Sequence, residues 1–358
     1  MTLKVDTITN VAGTGAPNIP DGVTIAGTAL ASVPQMQYAA SGSEPSSPED
    51  GELWFDTSSN EFKMYVNDAW YTVTATAPPA WYGTRSLVGG GFQVTNQIQY
   101  FANASNTNAQ DFGDLLTSRY GLAAASNGTR GLFAGGGTPY INVIEYVTIA
   151  NTGNSVDFGD LTEVRFYFTA CGNGTYAFFL GGVNAGANID YVTVSTAANA
   201  GDWGDLNTSP VYNGAWSAAN ESRLLSGYDN QQNNRIQYVS STTPGNAQDF
   251  GDMVAGTNFA AAVNDTTRAV YGGGDDPSTN AMGYVTIATT GNATDFGDLT
   301  SSKGRCAVSA SSTRGFWCGG GGSGLNNIDV ATIQTPGNAT DFGDLTGAIT
   351  YAAGTAGS

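Results

Sequence analysis

The chain has 358 residues, 49 of them glycine, with 12% charged, no histidine and a net charge of −18 from 30 acids against 12 bases. This acidity repels a phosphate backbone and argues against nucleic acid as a partner; without histidine there is no Ser-His-Asp or Cys-His arrangement. Three cysteines, Cys171, Cys306 and Cys318, have no spacing of a disulfide framework or zinc site, and no apolar run reaches the ~18 residues of a membrane span.

In chain order, residues 1–33 open with LKVDTIT, which alternates apolar and polar side chains and carries Leu3, Val5 and Ile8. The first twenty residues lack the apolar core of a signal peptide, so synthesis in a cytoplasm with reduced thiols is expected. Residues 34–75 read as a small β-hairpin module in which the Ser/Pro/acid stretch SGSEPSSPEDGE is followed by LWFDT, a turn at Ser58–Asn60, EFKMYVN, a turn at Asn67–Asp68, then AWYTV. Such a hairpin is marginal alone and wants a neighbour. Residues 76–80, within TATAPPA, read as a stiff linker.

From residue 81 the chain repeats. A D-F-G-D unit begins at Asp111, Asp157, Asp202 (as DWGD), Asp249, Asp295 and Asp341, at intervals of 46, 45, 47, 46 and 46 residues. A period of ~40–50 residues suits one four-stranded propeller blade. The expected fold is all-β: a six-bladed β-propeller over 81–358 with kelch-like blades of ~46 residues, preceded by a small β N-terminal arm. Within the unit from Thr129, RGLFAGG reads as the innermost strand, INVIEYVTIA as the second, SVDFGD as the third and RFYFTACGN as the fourth. The last copy ends in LTGAITYAAGTAGS and the first begins without a fourth strand ahead of it, so the two ends are expected to share a blade.

A motif present in every unit is expected to be a building block. Its first Asp caps a turn, its aromatic fills the space between blades and its glycine allows a kink. Arg85, Arg130, Arg223, Arg268 and Arg314 hold a fixed place in five units and are candidates to pair with those acids. No cofactor is expected; calcium at the paired carboxylates is the alternative. No enzyme activity is expected, although a carboxylate-pair glycosidase on a propeller remains a competing class.

Function on a repeat scaffold sits where the units diverge. The variable loops offer Tyr140, Asn184, Tyr212, Trp216, Tyr228, Asp229, Gln231, Gln232, Asp275 and Asp276 as ligand-binding candidates able to hydrogen-bond and stack on sugar rings. Units three and four depart furthest, with Trp203 for Phe, added Pro210 and Trp216, and SGYD in place of AGGG.

The phrases LKVDTITNVAGTGAPNIPDGV and PEDGELWFDTSSNEFKMYVNDAW resemble N-terminal segments of virion appendage proteins of tailed phages, especially those of marine cyanobacteria. The G-N-A-x-D-F-G-D-L-T repeat is similar to kelch-like propeller repeats in the same kind of protein. The resemblance implies a tail-fibre subunit, a homotrimer assembled in the host cytoplasm and located in the virion. Residues 1–33 would dock on other virion proteins, through Leu3, Val5 and Ile8, and the propeller would contact a host-surface glycan or protein without membrane insertion. A capsid or neck decoration fibre without receptor role is the competing structural reading.

Overall fold

The computed structural model describes residues 44–48, 52–56, 61–66, 68–72, 83–92, 95–207, 216–229, 234–322 and 324–357, together with short strands near the N-terminus. It falls into two compact units, Met1–Ala77 and Pro78–Ser358, and no helix occurs among the described residues. In the first unit β1 (Thr24–Ile25) and β2 (Thr28–Ala29) pair antiparallel. A four-stranded sheet follows, in the order β3 (Met36–Ala39), β4 (Leu53–Asp56), β5 (Glu61–Val66) and β6 (Ala69–Thr72). The expected hairpin strands are β4, β5 and β6, and β3, parallel to β4, is the neighbour that a lone hairpin lacks. Buried Trp54 meets Trp70 edge-on at 5.3 Å, and Lys63 bridges Asp56 at 3.0 Å while lying over the Trp54 ring. Leu3, Val5 and Ile8 lie outside the described residues.

The second unit is all-β and propeller-like, built from six four-stranded antiparallel sheets. It starts with β7 (Arg85–Gly89), β8 (Gln97–Ala102) and β9 (Gln110–Asp114). Five sheets of consecutive strands follow. They are β10 (Ala123–Ser126), β11 (Arg130–Ala134), β12 (Val143–Thr148) and β13 (Val156–Asp160); β14 (Thr169–Gly172), β15 (Tyr176–Leu180), β16 (Asn188–Thr193) and β17 (Gly201–Asp205). Next come β18 (Trp216–Ala219), β19 (Arg223–Asp229), β20 (Asn234–Ser240) and β21 (Gln248–Asp252), then β22 (Ala261–Asn264), β23 (Arg268–Asp275), β24 (Ser278–Thr286) and β25 (Thr294–Asp298). The last are β26 (Ala307–Ala310), β27 (Arg314–Cys318), β28 (Leu325–Thr332) and β29 (Thr340–Ile349). The final strand, β30 (Ala353–Gly357), pairs with β7, so one sheet is shared by the two ends of this unit.

The strand order within each sheet differs from the sequence reading by one place. RGLFAGG, expected innermost, is second; RFYFTACGN, expected outermost, supplies the first strand of the next sheet. The first strands lie side by side: β10 against β14, β14 against β18, β18 against β22, β22 against β26, and β30 against both β26 and β10. Strands that converge this closely need small side chains, and AAAS, TACG, AAVN, AVSA and AGTAG supply them. The glycines that suggested an inner position for the second strand serve its end instead. At Gly135 the backbone turns with φ +57°, and a β-carbon there would stand 2.7 Å from the Arg165 carbonyl oxygen.

Between sheets the core is apolar. Leu132, Ile144, Phe158, Phe168 and Phe179 form one buried cluster bridging two sheets, and equivalents occur around the unit. Each fully buried Leu or Phe contributes roughly 1.5–3 kcal/mol of transfer energy.

Candidate functional site

The outer strand of every sheet carries D-F-G-D, and its residues divide their work. The aromatics Phe112, Phe158, Trp203, Phe250, Phe296 and Phe342 are buried between sheets. The first acids, Asp111, Asp157, Asp202, Asp249, Asp295 and Asp341, are exposed on the outer edge, where a charge discourages edge-to-edge pairing with another chain. A β-bulge interrupts each outer pairing, as between Ile144 and Glu145. The motif's glycine admits the next sheet: a β-carbon on Gly297 would lie 2.6 Å from the Gly337 carbonyl.

At that approach the sheets are clamped. Asn154 Oδ1 accepts from the Asp114 N–H at 3.0 Å, and Asn199, Asn246, Asn292 and Asn338 accept likewise from Asp160, Asp205, Asp252 and Asp298. Asn108 of the first repeat accepts from Asp344 of the last at 3.1 Å. The motif is therefore scaffolding. Among the described residues, no cluster of three or more His, Cys, Asp or Glu side chains stands close enough to hold a metal ion.

The repeated arginines do not pair with these acids. Arg85, Arg130, Arg223, Arg268 and Arg314 donate to backbone carbonyls of the following sheet, at Ile149, Val194, Ile287, Ile333 and Asn103. Four of them also lie over a tyrosine, Arg268 at 4.3 Å from the Tyr284 ring. A long flexible side chain satisfies a neighbouring sheet's orphan carbonyls better than it holds an exposed carboxylate.

Three ion pairs of this unit lie elsewhere, fully buried. Arg119 pairs with Glu145, Arg165 with Asp190 at 2.9 Å and Lys303 with Asp329 at 3.0 Å. Burial pulls the two arginines below the ordinary arginine value, opposed by Glu145 and Asp190 respectively. Each acid also accepts a backbone N–H, from Leu116, Thr162 and Thr300. At the corresponding place Gln99 and Gln237 accept from Thr346 and Asn207. In the remaining repeat this place is Gly283, and the Tyr271 hydroxyl accepts from Val254 instead, at 2.8 Å. An acid thus stands where a base answers it, and a neutral acceptor stands at Gln99.

Where the segments entering the first strands meet, large side chains gather over the convergence of those strands. Ten residues after the first acid of the motif stand Gly121, Tyr167, Phe259, Arg305 and Tyr351, all with φ between +53° and +65°. Tyr167 and Tyr351 approach at 4.8 Å, Phe259 stands edge-on to both, and Arg305 lies over the Phe259 and Tyr351 rings. Burial, with Tyr351 and Tyr120 beside it, raises the pKa of the Tyr167 hydroxyl well above the usual range. Left-handed backbone costs a non-glycine residue roughly 1–2 kcal/mol. Gly121 fills the same position in one repeat, so the fold does not require the rings.

Two further aromatics extend this cluster into solvent. Phe92 is 52% exposed and edge-on to Tyr120 at 5.6 Å; Tyr140 is 56% exposed and lies 4.6 Å from Phe166, which touches Tyr167. Beneath is a cavity of about 110 Å³ lined by Ala123, Thr169, Trp216 and Ala307 among others, then one of about 80 Å³ reaching Ser126 and Cys171. Neither approaches the ~300 Å³ of a small ligand pocket.

The loop candidates scatter. Tyr140 joins the aromatic cluster, and Asp275 pairs with Arg305 beside it. Asp276 and Asn184 are exposed, Asn184 with φ +77°. Trp216 is no loop residue: it opens β18, 1% exposed, stacked on Tyr271 at 5.1 Å with its N–H on Met253 Sδ. Tyr228 and Asp229 end β19 opposite Arg235 and Asn234. Tyr212, Gln231 and Gln232 lie outside the described residues. The sequence reading missed Phe92, Tyr120, Phe166, Tyr167, Phe259, Arg305 and Tyr351. Aligning the repeats on their first acid exposes four of them at one offset, a signal hidden because that position varies in chemistry. No protein-family model matches this chain, and no curated protein matches its sequence.

Proposed function

We propose that residues 81–358 form a six-bladed, kelch-like β-propeller that serves as a non-catalytic binding module at the tip of a virion appendage. The closing of the ring is supported by the clamp between successive sheets, which recurs between last and first repeats at Asp344 and Asn108. The appendage role rests on the resemblance of the N-terminal phrases. In this reading residues 1–33 dock on other virion proteins, the fibre is a homotrimer, and the propeller meets the host surface. Trimeric presentation adds weak contacts into firm attachment.

One observation carries the binding reading. The aromatic, glycine and asparagine of each repeat are used in core and clamps, whereas the exposed aromatics Phe92 and Tyr140 lie among loops that differ between repeats. The test is adhesion of the labelled full chain to host cells, beside a reducing-sugar assay on host envelope material. Saturable adhesion without sugar release is expected. Sugar release that disappears on changing one acid would replace the reading with a glycosidase, and absence of adhesion would leave a decoration fibre.

A further inference from the structure

Five rings form a continuous strip: Phe92 to Tyr120 at 5.6 Å, Tyr120 to Tyr167 at 6.0 Å, Tyr167 to Phe166 at 4.7 Å and Phe166 to Tyr140 at 4.6 Å. Both ends of the strip are more than half exposed. Its backbone is pinned: Tyr120 and Gly137 exchange N–H···O bonds, and Val183 donates to the Phe166 carbonyl. Gly137 leaves the space that the Tyr140 ring occupies, since a β-carbon there would stand 2.9 Å from that ring. A pinned surface of rings loses little conformational freedom on binding.

We propose that this strip binds an extended neutral glycan. The inference rests on the host-contact reading above and specifies its ligand. Flat rings with exposed faces stack on the apolar C–H faces of sugars, and tyrosine hydroxyls exchange hydrogen bonds with sugar hydroxyls. Anionic polymers are disfavoured by a chain of net charge −18 whose nearby guanidinium, Arg305, is neutralised by Asp275. The cavity beneath, about 110 Å³, is too small for such a ligand, so it lies along the strip rather than entering the centre.

The test titrates the full chain with neutral hexaoses of glucose, galactose, mannose and rhamnose, with sulfated galactose hexaoses as the anionic arm. At least one neutral hexaose is expected to bind, at least tenfold more weakly to Phe92→Ala and to Tyr140→Ala, with thermal unfolding unchanged because both rings are largely exposed. Binding that ignores both substitutions, preference for the sulfated sugars, or no binding of any neutral hexaose would overturn the proposal. Host-cell adhesion measured in parallel separates the two readings. Adhesion insensitive to both substitutions rejects the strip and keeps host contact. Ring-dependent sugar binding without adhesion keeps the strip and rejects host contact.

Discussion

Two glycines at one junction between sheets should respond very unequally to the same substitution. In Gly297→Ala the new methyl would stand 2.6 Å from the carbonyl carbon and oxygen of Gly337. Backbone atoms there move only by opening the clamp: Gly337 N–H to Phe296 O at 2.7 Å, Ala339 N–H to Asp298 O at 2.8 Å and Asp298 N–H to Asn338 Oδ1 at 3.0 Å. Each bond contributes about 1 kcal/mol net, and the positive φ of +137° adds a penalty of order 1–3 kcal/mol for a β-carbon. The expected loss is roughly 4–6 kcal/mol, a large share of the ~5–15 kcal/mol of a typical domain. Gly337→Ala, with nothing within 4 Å of its β-carbon, should change stability by under about 1 kcal/mol. Equilibrium unfolding in guanidinium chloride measures both. A loss below about 1 kcal/mol in Gly297→Ala, or equal losses in the pair, would refute the clamp. Gly343→Ala, whose β-carbon would meet the Thr107 carbonyl oxygen at 2.8 Å, carries the same test to the junction of last and first repeats.

Removing one partner of a buried ion pair should cost more than removing both. Glu145→Gln should lose about 3–5 kcal/mol by stranding Arg119, and adding Arg119→Met should recover most of it by approximating the neutral arrangement at Gln99, as a double-mutant cycle in denaturant would show. Tyr271→Phe should lose about 1–2 kcal/mol in the same assay, because Val254 N–H then has no acceptor, whereas Tyr140→Phe should be neutral. Burial pushes the Cys171 and Cys306 thiols from 9.0 up to about 12, and Tyr271 from 10.0 to about 12. The folded state keeps these protons longer than the unfolded chain does. Stability should therefore hold below about pH 9 and fall between pH 9 and 12, tracked by the denaturant midpoint. The three buried thiols should resist a thiol reagent at pH 8 until denaturant is added.

Much of the architecture was legible because it repeats. A six-fold recurrence of D-F-G-D at almost constant spacing announces identical units, and β-branched runs between glycine turns make them sheets. The hairpin strands of the arm were legible from alternation and turn residues, but not the parallel partner β3, since pairing between segments separated in sequence leaves no local pattern. The ligand candidates were chosen for polarity in variable loops, and Trp216, bulky and apparently in such a loop, proved to be core because its strand begins there.

The sequence by itself determined the period, the all-β class and the place of the repeated aromatic in the core, because those depend on residue types at fixed spacing; the repeated acids, expected to cap turns, are exposed instead. Only the tertiary structure decided which strand lies innermost, since glycine-ended and alanine-rich strands are equally small on paper and differ in what they are packed against. Tertiary structure alone also brought Arg119 to Glu145 and Arg165 to Asp190, and lined Phe92, Tyr120, Tyr167, Phe166 and Tyr140 into one strip. Those residues come from separate loops and connections, and contact between them is a property of how neighbouring sheets pack.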